Sequence, residues 1–433
     1  MKRWLGILLV SALLQIVNPN QSYGKTSTTV MSRNIYLGAD VGRALELIPN
    51  LPAAAQYMWN QMKKTDFRAR AKILANEIEQ NQPDVIGVQE ATSWQCQKNL
   101  WSKKVIVYDF ISILINELSG EYVVAEFENS KAYNPGFSIS PIPYLTKVND
   151  PEVFSKIFAQ DSASCGFETG DALLIKKELL PKILNVGNSE YEVTYSIVPK
   201  IMTIYRGYSW ADIKINGIPT RFITTHLESL WDDNKIPNSA KQAEQLIADT
   251  KNTKMPLIVL GDFNSDPRDP RGKLSANPGE QPVESKNCPK EISICSAYKL
   301  MIKGGFIDAG PDSLDPKNFT WGMNAELTGA DKNREEAARK MGNELGFSDR
   351  LDYIFFKNNV IAKSAQVIGT NPPYGSDHAG VVAKLEISGE NKLISAELNP
   401  HEPFPISFWQ WVLIFLILLI TFVFWRKKTK NIL

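Results

Sequence analysis

Apolar residues recur along positions 25–387 with two different periods. Short runs rich in Val, Ile and aromatic residues, bounded by Gly, Pro, Asn or Asp, predict strands at 29–36, 85–88, 172–175, 210–215, 221–225, 257–260, 353–356 and 381–385. Between them, Ile73, Leu74 and Ile78 share one face of a helix predicted over 67–80, and Asn81-Gln82-Pro83 ends it. A second helix is predicted over 239–249, with Ser239 as its N-cap. Strands alternating with helices point to a layered α/β sandwich. Three stretches, 41–65, 129–164 and 266–297, are rich in Pro, Asn and Ser, lack clear periodicity and read as insertions.

The two ends carry longer apolar runs. Lys2 and Arg3 precede an apolar stretch from Trp4 to Val17, and the small residues Ser22 and Gly24 follow. That is a secretory signal, 1–24, with a cut after Gly24. The stretch is short for the ~20 residues a bilayer span needs. From Phe408 to Trp425 only Gln410 and Thr421 are polar, Trp409, Trp411 and Trp425 lie near the ends, and Arg426, Lys427 and Lys428 follow. This pattern predicts a transmembrane helix over 406–425 and a basic cytoplasmic tail over 426–433. Residues 388–405, with Pro400, Pro403 and Pro405, read as a linker. The expected location is the cell envelope, with the body 25–387 outside the membrane.

A chain of 433 residues that is 43% apolar and 22% charged is neither disordered nor collagen-like. The net charge of +1 conceals an asymmetry. Residues 1–24 and 406–433 contain no acid and hold six of the 48 basic residues, which leaves 42 bases against 47 acids between them. That acidic body argues against a surface built for broad nucleic-acid adhesion. The four cysteines, Cys96, Cys165, Cys288 and Cys295, show no zinc-ligand spacing. Two disulfides suit an exported protein. Cys288 with Cys295 and Cys96 with Cys165 is one of three possible pairings.

Polar residues able to do chemistry gather just past the predicted strand ends. Asn34, Glu90, His226, Asp262, Asn264, Asp352, Asp377 and His378 all hold such positions. Ligand sites form where strands end in loops. The chain has only three histidines, and two of them are in this set. Each position alone reads equally well as a turn or a cap.

The wording and order of these segments resemble the endonuclease/exonuclease/phosphatase superfamily. The resemblance is carried by RNIYLG, VIGVQE, TTHLES, GDFNSDP, DRLDYIF and SDHAGVVAKL, which span the body from Asn34 to His378. It implies a four-layered α/β sandwich of two packed mixed β-sheets, the fold of deoxyribonuclease I. It further implies that Asn34, Glu90 and Asp377 bind a divalent ion, Mg2+ or Mn2+, as hard oxygen ligands would. Asp262 would orient or deprotonate the attacking water. Asn264 would hold a phosphoryl oxygen. His378, oriented by Asp352, would donate to the phosphate, and His226 would serve as general acid or phosphate ligand. Arg206 and Thr320 resemble positions that reach or support the phosphate. The implied activity is phosphodiester hydrolysis outside the cytoplasm. A nuclease is the first reading, a sphingomyelinase-like lipid phosphodiesterase the second, and a non-catalytic surface module the third. The substrate would be nucleic acid or phospholipid, the membrane is contacted through the C-terminal helix, and no protein partner is expected.

Overall fold

Each predicted strand is present, and most run longer than their apolar cores. The computed structural model describes residues 24–99, 101–138, 146–198, 202–230, 236–269, 293–322 and 346–389. The principal strands are β1 (Thr26–Asn34), β2 (Val85–Gln97), β3 (Ser162–Lys176), β4 (Ile183–Glu190), β5 (Gly207–Ile215), β6 (Ile218–His226), β7 (Leu257–Asp262), β8 (Asp352–Lys357), β9 (Val360–Ile368) and β10 (Gly380–Ile387). One sheet has the order β9-β10-β1-β2-β3 followed by Tyr122–Val124; the other has β4-β5-β6-β7-β8 followed by Ile307–Asp308. Both are mixed: β1 is parallel to β2 and β6 to β7, while β1 with β10 and β7 with β8 are antiparallel.

Side-chain alternation sorts the core into layers. Val85, Leu173, Ile258 and Leu385 lie between the sheets with Phe222. Their neighbours Ile86 and Leu174 face outward to meet Met58, Trp59, Phe67 and Leu74. Val259 faces outward from the second sheet to meet Leu246 and Met301. Helices therefore cover both outer faces, and the four layers expected from the sequence are present. The sheets approach closely at Gly87, where an added Cβ would sit 2.6 Å from the Cβ of Leu260. Beside it the Gln89 amide donates to Thr224 Oγ1 across the interface at 2.9 Å.

The stretch 41–65 corrects the sequence reading. It forms two helices, α1 (Val41–Glu46) and α2 (Leu51–Lys64). Asn50 accepts from the Ala53 N–H, Pro52 lies in the first turn, and Ala54, Met58, Trp59 and Met62 are buried on one face. Helix α3 (Phe67–Asn81) matches its prediction to within a residue. The helix α4 (Asn238–Thr250) starts at Pro237 with no side-chain cap, so Ser239 is a buried first-turn residue rather than the N-cap. Pro237 fixes its own φ and sets the start one residue early.

Cys96 and Cys165 are bonded to each other and are direct partners across β2 and β3. Cys295 is also disulfide-bonded; Cys288 lies outside the described residues, as do the signal region 1–23, most of the linker, the predicted span 406–425 and the tail. Among the described residues no helix is long and apolar enough to cross a membrane.

Candidate active site

Register assembles the site. His226 pairs with Asp262 across β6 and β7, and Asp262 pairs with Asp352 across β7 and β8. Three residues far apart in sequence thus form a row on one sheet edge. The other sheet brings Asn34 at the end of β1, Glu90 within β2, and His378 just before β10. The Asn34 amide joins the two sheets: its Nδ2 donates to Glu90 Oε1 and to Asp262 Oδ2, each at 3.1 Å.

Glu90 sits at a break in the β2–β3 register, between Gln89 and Ala91, with φ of 58°. A bulge of this kind turns one side chain away from the pleat, and a left-handed Glu is a strained choice that packing must hold in place. The Glu90 carboxylate also accepts from the Leu37 N–H. Asn264, with φ of 44°, folds back so that its N–H donates to Asp262 Oδ1 at 2.9 Å and its Nδ2 to the Leu227 carbonyl at 2.8 Å.

His378 lies between two carboxylates. Its Nδ1 is 2.9 Å from Asp352 Oδ2 and its Nε2 is 3.6 Å from Asp262 Oδ2. Burial alone pushes the ring toward neutrality, but Asp352 and Asp262 together outweigh it and lift the pKa to about 10. Burial raises Asp262 to about 7 against the pull of the His378 cation, with Asp352 adding to the rise. His226 goes the other way: burial, then the neighbouring Arg206 and His378, hold it well below the usual imidazole range. Arg206 Nη1 lies 3.0 Å from His226 Nδ1 and can only donate, so Nδ1 accepts and the ring proton sits on Nε2. That N–H faces Asp262 at 3.5 Å.

Two carboxylates offer hard oxygens for a divalent ion, Glu90 and Asp377. Burial raises Asp377 to about 6 even beside the His378 cation, and the Glu90 charge adds to the rise. A cation between these two groups would relieve the strain, so the donor set fits Mg2+ or Mn2+. As placed, Asn34 accepts at Oδ1 from the Tyr36 N–H and donates from Nδ2 to the Glu90 and Asp262 carboxylates. It therefore positions Glu90 and Asp262. Asp262, Asp352 and His378 also place ligand atoms within 4.8 Å of one another, a spacing a metal could use. There the imidazolium already balances both carboxylates, so Glu90 and Asp377 are the better pair.

Of the remaining expected residues, Arg206 is largely buried and paired with Glu228 (Nε to Oε2 3.4 Å). Thr320 Oγ1 accepts from the Leu351 and Asp352 N–H groups, and the Thr320 carbonyl accepts from Ala379 N–H. Thr320 is thus the staple that sets Asp352 beside His378.

Sequence reading missed the residues beneath the site. Arg33 donates to Glu77, to the Asn34 carbonyl and to the His378 carbonyl. Arg70 donates to the carbonyls of Thr65, Ile35, Tyr36 and Gly375. Arg70 left one signal: it lies three and four positions before Ile73 and Leu74, on the apolar side of α3, where an unpaired base is out of place. Asp171 is buried nearby, pushed well up by burial, with one carboxylate oxygen lacking a hydrogen-bond partner.

Comparison with known proteins adds a name to this geometry. A profile described as the Endonuclease/Exonuclease/phosphatase family matches residues 54–378. No curated protein matches the chain. Among solved structures the chain is similar to an endonuclease/exonuclease/phosphatase family protein from Bacteroides thetaiotaomicron, with 16% identity, 84% of this chain and 100% of that one covered, and a TM-score of 0.45. It is similar to one from Leptotrichia buccalis, at 18% identity, 83% and 100% coverage and a TM-score of 0.45. It is also similar to a mannosyl-6-phosphatase of B. thetaiotaomicron, at 16% identity, 83% and 99% coverage and a TM-score of 0.44.

Proposed function

Because the chain belongs to the endonuclease/exonuclease/phosphatase family, and is therefore a hydrolase of phosphoric esters, we propose that it is a divalent-metal-dependent phosphodiesterase, exported and tethered outside the membrane. The observation that carries this reading is the His226–Asp262–Asp352 row with His378 held as a cation between two carboxylates. Hydrolysis needs a positioned water, relief of charge on the phosphoryl oxygens and help for the leaving oxygen. Asp262, with its pKa at about 7, accepts the proton of the attacking water. The His378 cation donates from Nε2 to a phosphoryl oxygen. Neutral His226 offers an Nε2–H as a hydrogen-bond donor rather than an acid. Asn264 has a second amide hydrogen free for a phosphoryl oxygen, and Arg206 supports that side of the site. A bound Mg2+ held by Glu90 and Asp377 would supply Lewis-acid charge relief.

Nucleic acid is the substrate class first suggested by the motifs. A phospholipid-type diester is the second reading, favoured by an apolar pocket farther along the strand that carries Glu90. The complete set of site side chains weighs against a non-catalytic module. The test is turnover by the full chain of bis(4-nitrophenyl) phosphate, plasmid DNA, RNA and sphingomyelin vesicles, with Mg2+ or with chelator. We expect turnover that chelator abolishes and Mg2+ or Mn2+ restores. Chelator-insensitive turnover overturns the metal assignment, and no turnover of any substrate overturns the phosphodiesterase reading.

A further inference from the structure

The helices α1 and α2 form a half-open apolar pocket of about 90 Å³ against the outer ends of β2 and β3. Val41, Ala44, Ala54 and Met58 form one wall; Trp94 and Phe167 form the other. Thr146 and the Trp94 indole bring the wall's only side-chain oxygen or nitrogen atoms. The space exceeds the roughly 10–15 Å³ one water requires, yet its lining gives water almost nothing to bond, so hydrocarbon is the occupant it suits. Its place relative to the chemistry is fixed by the backbone. Trp94 is four residues beyond Glu90 on β2, roughly 13 Å by strand rise. Val41 is seven residues beyond Asn34.

A second observation comes from the far end of the same arm. The turn after β2 presents Trp101, 95% exposed, with Lys98, Lys103 and Lys104 around it and an exposed Ile106 beyond. A bare indole among lysines suits the boundary between lipid headgroups and hydrocarbon.

We propose that the cavity is a chain-binding subsite: it takes the hydrocarbon tail of an amphiphilic phosphodiester whose phosphate lies at Asp262 and His378. The proposal rests on the phosphodiesterase reading above and names its substrate class. No basic channel is required, which agrees with the acidic body.

The test compares 4-nitrophenyl dodecyl phosphate with 4-nitrophenyl methyl phosphate, using the full chain held in amphipol. Burial of several methylenes predicts a KM roughly tenfold lower or more for the dodecyl ester, with similar kcat. Ala54→Phe fills the cavity and should remove that advantage while leaving methyl-ester turnover and the melting temperature unchanged. Ala44→Leu does the same from α1 should the first variant fail to fold. Equal KM values for the two esters, or a dodecyl preference that survives both variants, overturns the subsite. Photolabelling with dodecanoate carrying a terminal diazirine needs neither turnover nor substitution. Labels are expected on α2 or Phe167; labels confined to the Trp101 turn overturn the cavity in favour of surface partition. Loss of methyl-ester turnover in the unaltered chain would sink the phosphodiesterase reading, and the photolabel would still decide the cavity.

Discussion

At the scale of single residues, the His378 imidazole between Asp352 and Asp262 sets the working pH. The two groups titrate as a coupled unit, near 7 on the acid side and near 10 on the basic side. The ratio kcat/KM should therefore rise as pH passes about 7 and fall above about 10, as a rate–pH profile will read. Asp352→Asn removes the main charge holding the proton on His378, so the basic limb should move down by at least about one unit. Both raised values make stability fall as pH rises, over different ranges. The raised His378 pKa contributes stability that is complete below about 6.5 and is lost as pH climbs through about 10. The raised Asp262 pKa means ionisation is harder in the folded chain, so stability falls as pH rises from about 4 to about 7. Asp262→Asn keeps the shape and removes the proton acceptor. It should cost roughly 10²–10³ in kcat without lowering the melting temperature. These residues were legible in sequence because each is a polar side chain at the end of an apolar run. The partners of Arg33 and Arg70 were not, because they are mostly backbone carbonyls from distant segments; only the place of Arg70 on the apolar side of α3 hinted at its burial.

At the scale of elements, alternation and periodicity located the strands and α3 but not their full lengths. β2 was expected over 85–88 and runs to Gln97, because Thr92, Ser93 and Gln97 are polar yet buried in pairing with β3. Helices α1 and α2 went unseen because Pro49 and Pro52 interrupt the segment, and the buried face of α2, Ala54, Met58, Trp59 and Met62, is short. The Cys96–Cys165 bond closes this β2–β3 arm across a separation of 69 residues. A loop of that length corresponds to about 4 kcal/mol in the chain-entropy view, and replacing both cysteines by Ala should lower unfolding free energy by about 2–4 kcal/mol, read from urea denaturation. Since Cys165 also lines the apolar cavity, the same variant should weaken binding of a dodecyl chain.

At the scale of the whole molecule, the division of labour follows the chain order. The layered body was legible because strand and helix periods alternate throughout it, and the motifs fixed the order of its site residues. The two ends lie outside the described residues, and their expected roles rest on length and charge in the sequence. The expected topology is testable without knowledge of the substrate. Deleting residues 388–433 should move the protein from the membrane fraction to the soluble extracytoplasmic fraction, with turnover of bis(4-nitrophenyl) phosphate retained. Retention in the membrane would place the anchor elsewhere. Helix α3 also carries a whole-molecule role, because Arg33–Glu77 and Arg70 fasten it to the segments bearing Asn34 and His378.

The Asn34 amide spans the gap between the sheets, with Glu90 on its own side and Asp262 on the other. Catalysis is consequently a gauge of how the two halves of the sandwich are aligned, and a small slip between them disables it before any strand is lost. At Gly87 the backbone of one half lies against Leu260 and Thr224 of the other, with no room for a Cβ. Gly87→Ala should wedge them apart, costing about 1–3 kcal/mol. On slow heating, this variant should lose turnover several degrees before its far-ultraviolet circular dichroism changes, whereas the unaltered chain should lose both together.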